Sequence, residues 1–177
     1  MGLFPAEEIH KAFWTFHDAL NAAARSTDWS RLEPVLTPDV TVNESVLGRL
    51  GKFEGVVREV SKVMLQTGKE PWVRLNRFPV EDYTIDHRDW VWSLWWARFT
   101  NPGDGSVHQS RVFMLLKYKG AGRFNYVETV YNPILARQAM ASWKVAKAAW
   151  DARSDQYKKV LEARRAEALK MAPLKLG

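Results

Sequence analysis

The sequence predicts an α+β protein, with helices first and an antiparallel sheet after them. Two observations carry that reading. Apolar residues in the opening third recur at helical spacing, as with Ile9, Phe13, Phe16 and Leu20. From Phe78 to Tyr131 the chain turns to aromatic and β-branched runs separated by turn clusters at 87–89, 101–106 and 120–122. Helical and strand patterns kept apart in this way imply helices packed on one face of a sheet rather than alternating βα units.

The first helix is expected from Pro5 to about Arg25. Proline suits a first turn, and Glu7 and Glu8 suit the positive end of the helix dipole. A short second helix, Trp29 to Leu36, has Asp28 or Ser26 as its cap and stops at Thr37-Pro38, because a residue before proline avoids helical torsions. Thr41 to Val46 reads as a strand. After glycines 48, 51 and 55, the spacing of Val56, Val60, Val63 and Met64 predicts a helix over 56–66 that ends at Gly68. Four strands in meander order then follow: Phe78 to Asp86, Trp90 to Thr100, Val107 to Lys119 and Arg123 to Tyr131. Beyond Pro133 the composition becomes rich in Ala, Lys, Arg and Glu. Trp143, Trp150 and Tyr157, spaced by seven, predict one long helix with its aromatic stripe packed on the body or on a partner subunit. The organisation is therefore a domain over 1–136 and a basic amphipathic helical extension over 137–177.

Charge and composition exclude several classes. The net charge of +6 resides in the extension, where ten Lys or Arg face four acids, while the body balances sixteen of each sign. A neutral body with a basic arm is a poor nucleic-acid binder, and the arm leaves an anionic partner open. There is no cysteine, hence no disulfide and no thiolate, which suits a reducing compartment; cytoplasm is the expected location. No apolar run reaches the roughly 18 residues of a membrane span. The four histidines (10, 17, 87, 108) have no metal-ligand spacing, and Gly103-Asp104-Gly105 is a hairpin turn without the Lys-Ser/Thr of a phosphate loop. No metal and no cofactor are expected.

Several segments together carry a resemblance. They are the opening helix, Thr37-Pro38-Asp39-Val40-Thr41-Val42, the strand Trp90 to Thr100, the loop Asn101-Pro102-Gly103-Asp104-Gly105, and Val130-Tyr131-Asn132-Pro133. Over roughly residues 6 to 136 they resemble the SnoaL-like branch of the nuclear transport factor 2-like (NTF2-like) superfamily. The resemblance implies a cystatin-like cone of curved antiparallel sheet capped by the N-terminal helices, with dimerisation through the outer sheet face. It also implies a pocket for an apolar small molecule. The long C-terminal helix departs from the compact family pattern.

Alternation divides the tryptophan strand into Trp90, Trp92, Leu94, Trp96 and Arg98 on one face and Val91, Ser93, Trp95, Ala97 and Phe99 on the other. The resemblance favours the first set as the inward one. An aromatic wall of this kind suits an apolar, planar guest, polycyclic or terpenoid-like. Glu44 is the candidate proton carrier. It lies in Thr41-Val42-Asn43-Glu44, similar to the strand on which ketosteroid isomerases hold their carboxylate base and limonene epoxide hydrolases a water-orienting amide. On an apolar wall, desolvation raises a carboxyl's pKa toward the range that moves protons at neutral pH.

The departures narrow the chemistry. Where the isomerases hold an oxyanion-stabilising tyrosine, the first helix has Phe16, which has no proton to donate. Where SnoaL-like chains often place an inward acid before the final aromatic, this chain reads Glu128-Thr129-Val130-Tyr131, which puts Thr129 in that place and turns Glu128 outward. His17 and Arg98 are the candidates to stabilise negative charge. The expected activity is a cofactor-independent isomerisation, dehydration or cyclisation by Glu44, His17 and Arg98. Phe16, Val42, Trp90, Trp92, Trp96, Thr129 and Tyr131 would contact the substrate. The alternative is a non-catalytic ligand-binding or protein-interaction module.

Overall fold

The computed structural model describes residues 2–26, 28–44, 48–51, 75–153 and 155–171. The helix expected over 56–66 lies outside the described residues. Helix α1 (Ala6–Ser26) leads into a 3-10 helix (Trp29–Val35). Seven strands follow: β1 (Leu36–Glu44), β2 (Gly48–Gly51), β3 (Leu75–Arg77), β4 (Val80–Ile85), β5 (Trp90–Phe99), β6 (Gln109–Gly120) and β7 (Arg123–Tyr131). Two helices close the chain, α2 (Pro133–Asp151) and α3 (Asp155–Met171).

The strands form one curved, unclosed sheet in the order β2-β1-β7-β6-β5-β3, with β4 also paired to β5. Beside β5, the run from β3 to β4 is interrupted at Pro79, which has no N–H to give to a ladder; its carbonyl accepts from Trp96 N at 3.0 Å instead. Neighbouring strands are antiparallel except for one pair. β1 runs parallel to β7, with Val42 opposite Val127 and Glu44 opposite Thr129. An all-antiparallel sheet was the expectation, and the difference is topological: the first strand of the chain inserts beside the last.

Helix α1 buries Ile9, Ala12, Phe13, Phe16, Leu20, Ala23 and Ala24 against the sheet. Phe13 meets Trp95 edge-on at 5.5 Å, and Phe16 meets Phe124 at 5.7 Å. Each such phenyl ring contributes about 1.5–3 kcal/mol by leaving water. Asp28 caps the 3-10 helix by accepting from Ser30 N, and Pro34 keeps that helix from the longer α ladder.

These contacts fix which sheet face is inside, and they reverse the sequence-based orientation of β5. Val91, Ser93, Trp95, Ala97 and Phe99 are the buried set under α1. Trp90, Trp92, Leu94, Trp96 and Arg98 line the opposite, outer face. Small side chains at 93 and 97 leave room there for Trp95 and the helix. Both faces of this strand carry large apolar groups, so alternation defines two sets without saying which is inner.

The C-terminal segment also differs from expectation. The helix breaks at Ala152, whose N–H bonds back to Ala148 O, while Arg153 N bonds to Trp150 O and the Arg153 guanidinium lies over the rings of Trp150 and Tyr157. Trp143 and Trp150 are buried as the stripe required, whereas Tyr157 stays 49% exposed. Asn132 caps α2 through bonds from the N–H groups of Ile134 and Leu135, with Pro133 at the first turn.

Candidate active site

The helix-covered face holds four of the expected substrate contacts. Phe16 is buried on α1, Val42 is buried on β1, and Thr129 and Tyr131 are half-buried on β7. The parallel β1–β7 register assembles this wall, since it sets Val42 beside Val127 and the next alternate position, Glu44, beside Thr129. Thr129 Oγ1 donates to Asn43 O at 3.5 Å, a long bond that ties the two strands together. The backbone of Glu44 pairs with Gly48 on one side and Thr129 on the other; its side chain lies outside what the structure describes.

His17 sits on α1 at the edge of the same face. Its ring lies 5.6 Å from Trp95 and 5.1 Å from Trp14, and its Nδ1 lies 2.9 Å from Asp18 Oδ1. Three residues that sequence reasoning passed over form a cluster that reaches it through Trp14. His10 bonds Tyr83, Tyr83 stacks on Phe13 at 4.5 Å, and Trp14 crosses Tyr83 edge-on at 5.9 Å. The signal was available: 10, 13, 14 and 17 share one helical stripe of α1.

Trp90, Trp92, Trp96 and Arg98 are brought together, but on the other side of the sheet. Arg98 Nε donates to Gln109 Oε1 at 2.7 Å, and the Arg111 guanidinium lies 5.2 Å over Trp96 while pairing with Glu81. Lys117 lies over Trp90, and Trp90 meets Tyr126 edge-on at 5.4 Å. Tyr126 links Asn43 to Glu128: Asn43 Nδ2 donates to its hydroxyl at 2.7 Å, and that hydroxyl donates to Glu128 Oε2 at 2.8 Å. Arg98 therefore cannot share a site with His17, and the three tryptophans cannot line a pocket under α1. The outward position expected of Glu128 agrees with its place in this network.

No family model matches the chain, and no curated protein matches it. Solved structures do. A SnoaL-like polyketide cyclase from Jannaschia sp. CCS1 is 12% identical at a TM-score of 0.57, over 77% of this chain and 93% of its own. An LEH-like epoxide hydrolase from M. tuberculosis is 12% identical at 0.56, over 81% and 96%. An NTF2-like protein of unknown function from Burkholderia pseudomallei is 13% identical at 0.55, over 75% and 97%. The fold is NTF2-like. Identities this low establish the scaffold alone, and NTF2-like scaffolds carry unrelated chemistries. Among the described residues no helix is long and apolar enough to cross a membrane, and no three His, Cys, Asp or Glu are grouped to hold a metal.

Proposed function

We propose that this NTF2-like chain is a cofactor-independent, cytoplasmic enzyme of the isomerase, dehydratase or cyclase type, acting on an apolar small molecule at the helix-covered face. Glu44 is the proton carrier in this reading, with His17 the charge-stabilising partner from α1. The observation that carries it is the β1–β7 register. That pairing puts the sole acid of Thr41-Val42-Asn43-Glu44 beside Thr129, two positions beyond the buried Val42. In this reading the Glu44 carboxylate takes a proton from the substrate and returns it, as a general base and then a general acid. Arg98 drops out of the mechanism because it belongs to the opposite face.

The likeness to a polyketide cyclase and an epoxide hydrolase supports a small-molecule role in general terms. Tryptophan fluorescence with steroid, terpenoid, polyketide and fatty-acid ligands tests it. A ligand under α1 should give a saturable change that survives in Trp92→Ala and disappears in Thr129→Trp. Turnover of the ligand so found should fall about a hundredfold or more in Glu44→Gln. Full turnover in that variant would end the assignment.

The outer face favours a second, compatible reading. Trp92 is 40% and Val130 45% exposed beside Phe113. A partner protein, most simply a second copy packed sheet to sheet, would cover them.

A further inference from the structure

Away from the helix-covered face, the loop between β5 and β6 meets α2, and four side chains form one hydrogen-bonded row. Ser106 Oγ lies 2.5 Å from Asp104 Oδ1 and 2.7 Å from His108 Nε2, and His108 Nδ1 lies 2.8 Å from Ser142 Oγ. The row is built on a well-held loop. Asn101 Oδ1 accepts from the N–H groups of Gly103 and Gly105, and Asp104 Oδ1 accepts from Ser106 N. Trp143 Nε1 donates to Thr100 O at 2.5 Å, and Arg165 of α3 donates to Gly103 O at 2.8 Å, which pins both helices to the loop.

Counting protons fixes the tautomer of His108. The hydroxyl and N–H of Ser106 hold the Asp104 carboxyl below its ordinary value, so it is an anion that only accepts. Ser106 has one hydroxyl proton, and Asp104 takes it. The oxygen of Ser106 must then accept from His108, which puts a hydrogen on Nε2. In neutral His108 this leaves the lone pair of Nδ1 facing the Ser142 hydroxyl. Ser142 Oγ donates to Ala139 O at 2.9 Å, so that carbonyl and the Nδ1 lone pair compete for its one proton. When His108 takes up a proton, Nδ1 becomes a donor and the hydroxyl turns to Ala139. Of the charged groups on the elements packed at this loop, Arg165 is held by Gly103 O, Arg98 by Gln109, Lys147 by Asp151 and Arg111 by Glu81, while Arg137 and Lys144 share α2 with Ser142.

We propose that Ser142 is a nucleophile, activated by His108 and oriented through Ser106 and Asp104, that accepts acyl groups from activated esters and thioesters. A nucleophile bonded to a base that a third group holds in place is the arrangement general-base activation requires. Ser142 is exposed, so a donor reaches it from solvent. Its oxygen forms a bond to the acyl carbon as its proton passes to His108 Nδ1. The bond from that carbon to the leaving oxygen or sulfur breaks, and the departing group takes the proton from His108. Water hydrolyses the serine ester by the same route: His108 takes its proton and returns it to Ser142, releasing a carboxylic acid. Ser142 lies inside α2, where the helix ladder engages its N–H, and an oxyanion donor contributes about 10²–10³ in rate. The site therefore suits donors whose leaving group departs readily.

A fluorophosphonate probe and p-nitrophenyl acetate, with the full chain and peptide mapping by mass spectrometry, test this. One adduct on Ser142 is expected, forming about a hundredfold slower in His108→Gln and severalfold slower in Asp104→Asn. Ser142→Ala, a surface change, should fold normally and lose the adduct. Absence of an adduct, one that persists in Ser142→Ala, or an unchanged rate in both His108→Gln and Asp104→Asn would overturn the proposal.

Discussion

Tyr118 couples the start of α1 to the β6–β7 turn through one hydroxyl. It donates to Glu8 Oε1 at 2.6 Å and accepts from Gly122 N at 2.8 Å, while its ring meets Phe4 and Phe124 edge-on. Burial, and next the bond to Glu8, push this phenol above its ordinary value of about 10. A folded value above the unfolded one means its contribution is complete below pH ~10 and is lost as pH rises through the folded value. Tyr118→Phe should cost about 1 kcal/mol near neutrality and remove this component of the alkaline loss, as read by denaturant melts across pH. At this scale the sequence was partly legible. The parity of β5 was visible, but its sign was not, because Trp95 and Trp92 are the same residue type two faces apart. Only the seat of α1, fixed by Phe13 and Phe16, tells them apart.

Among the elements, the loop between β5 and β6 holds the C-terminal helices in place. Gly103 has φ +127°, and a Cβ there would enter the indole of Trp150, itself buried on α2. Gly103→Ala should therefore destabilise the protein by about 1–3 kcal/mol, visible as a lowered melting temperature, and should shift Trp150 emission toward solvent. The start of α2 was legible, since Asn-Pro is a cap followed by a first-turn proline. The break after Asp151 was not. Ala152 and Arg153 are good helix formers, and it is the contacts of Arg153 with Trp150 and Tyr157 that hold the kinked path. Both Trp150 and Gly103 were conspicuous in the sequence, yet nothing in it joined them.

For the molecule as a whole, the proposed sheet-to-sheet dimer makes the outer face the place to test oligomeric state. Trp92→Glu would place a charge in the centre of the proposed dimer contact while leaving the core under α1 intact. Sedimentation should show dimer association weakened about a hundredfold, or about 3 kcal/mol, with an unchanged melting curve of the protomer at low concentration. The helix-first, sheet-second order and the four-strand meander were readable from local pattern. The candidate site was less so, because the wall holding Val42, Glu44 and Thr129 depends on a pairing between strands far apart in sequence. That parallel pair also has a kinetic consequence. Thr41 and Tyr126 meet across 85 positions of chain, whereas β4 to β7 can zip by short hairpins. Loop closure over such a span makes β1 a late arrival, so the meander should acquire hydrogen-exchange protection before β1 does. On the ribosome, β1 must wait for β7 to emerge, and until then its own β7-facing edge remains open to chaperones.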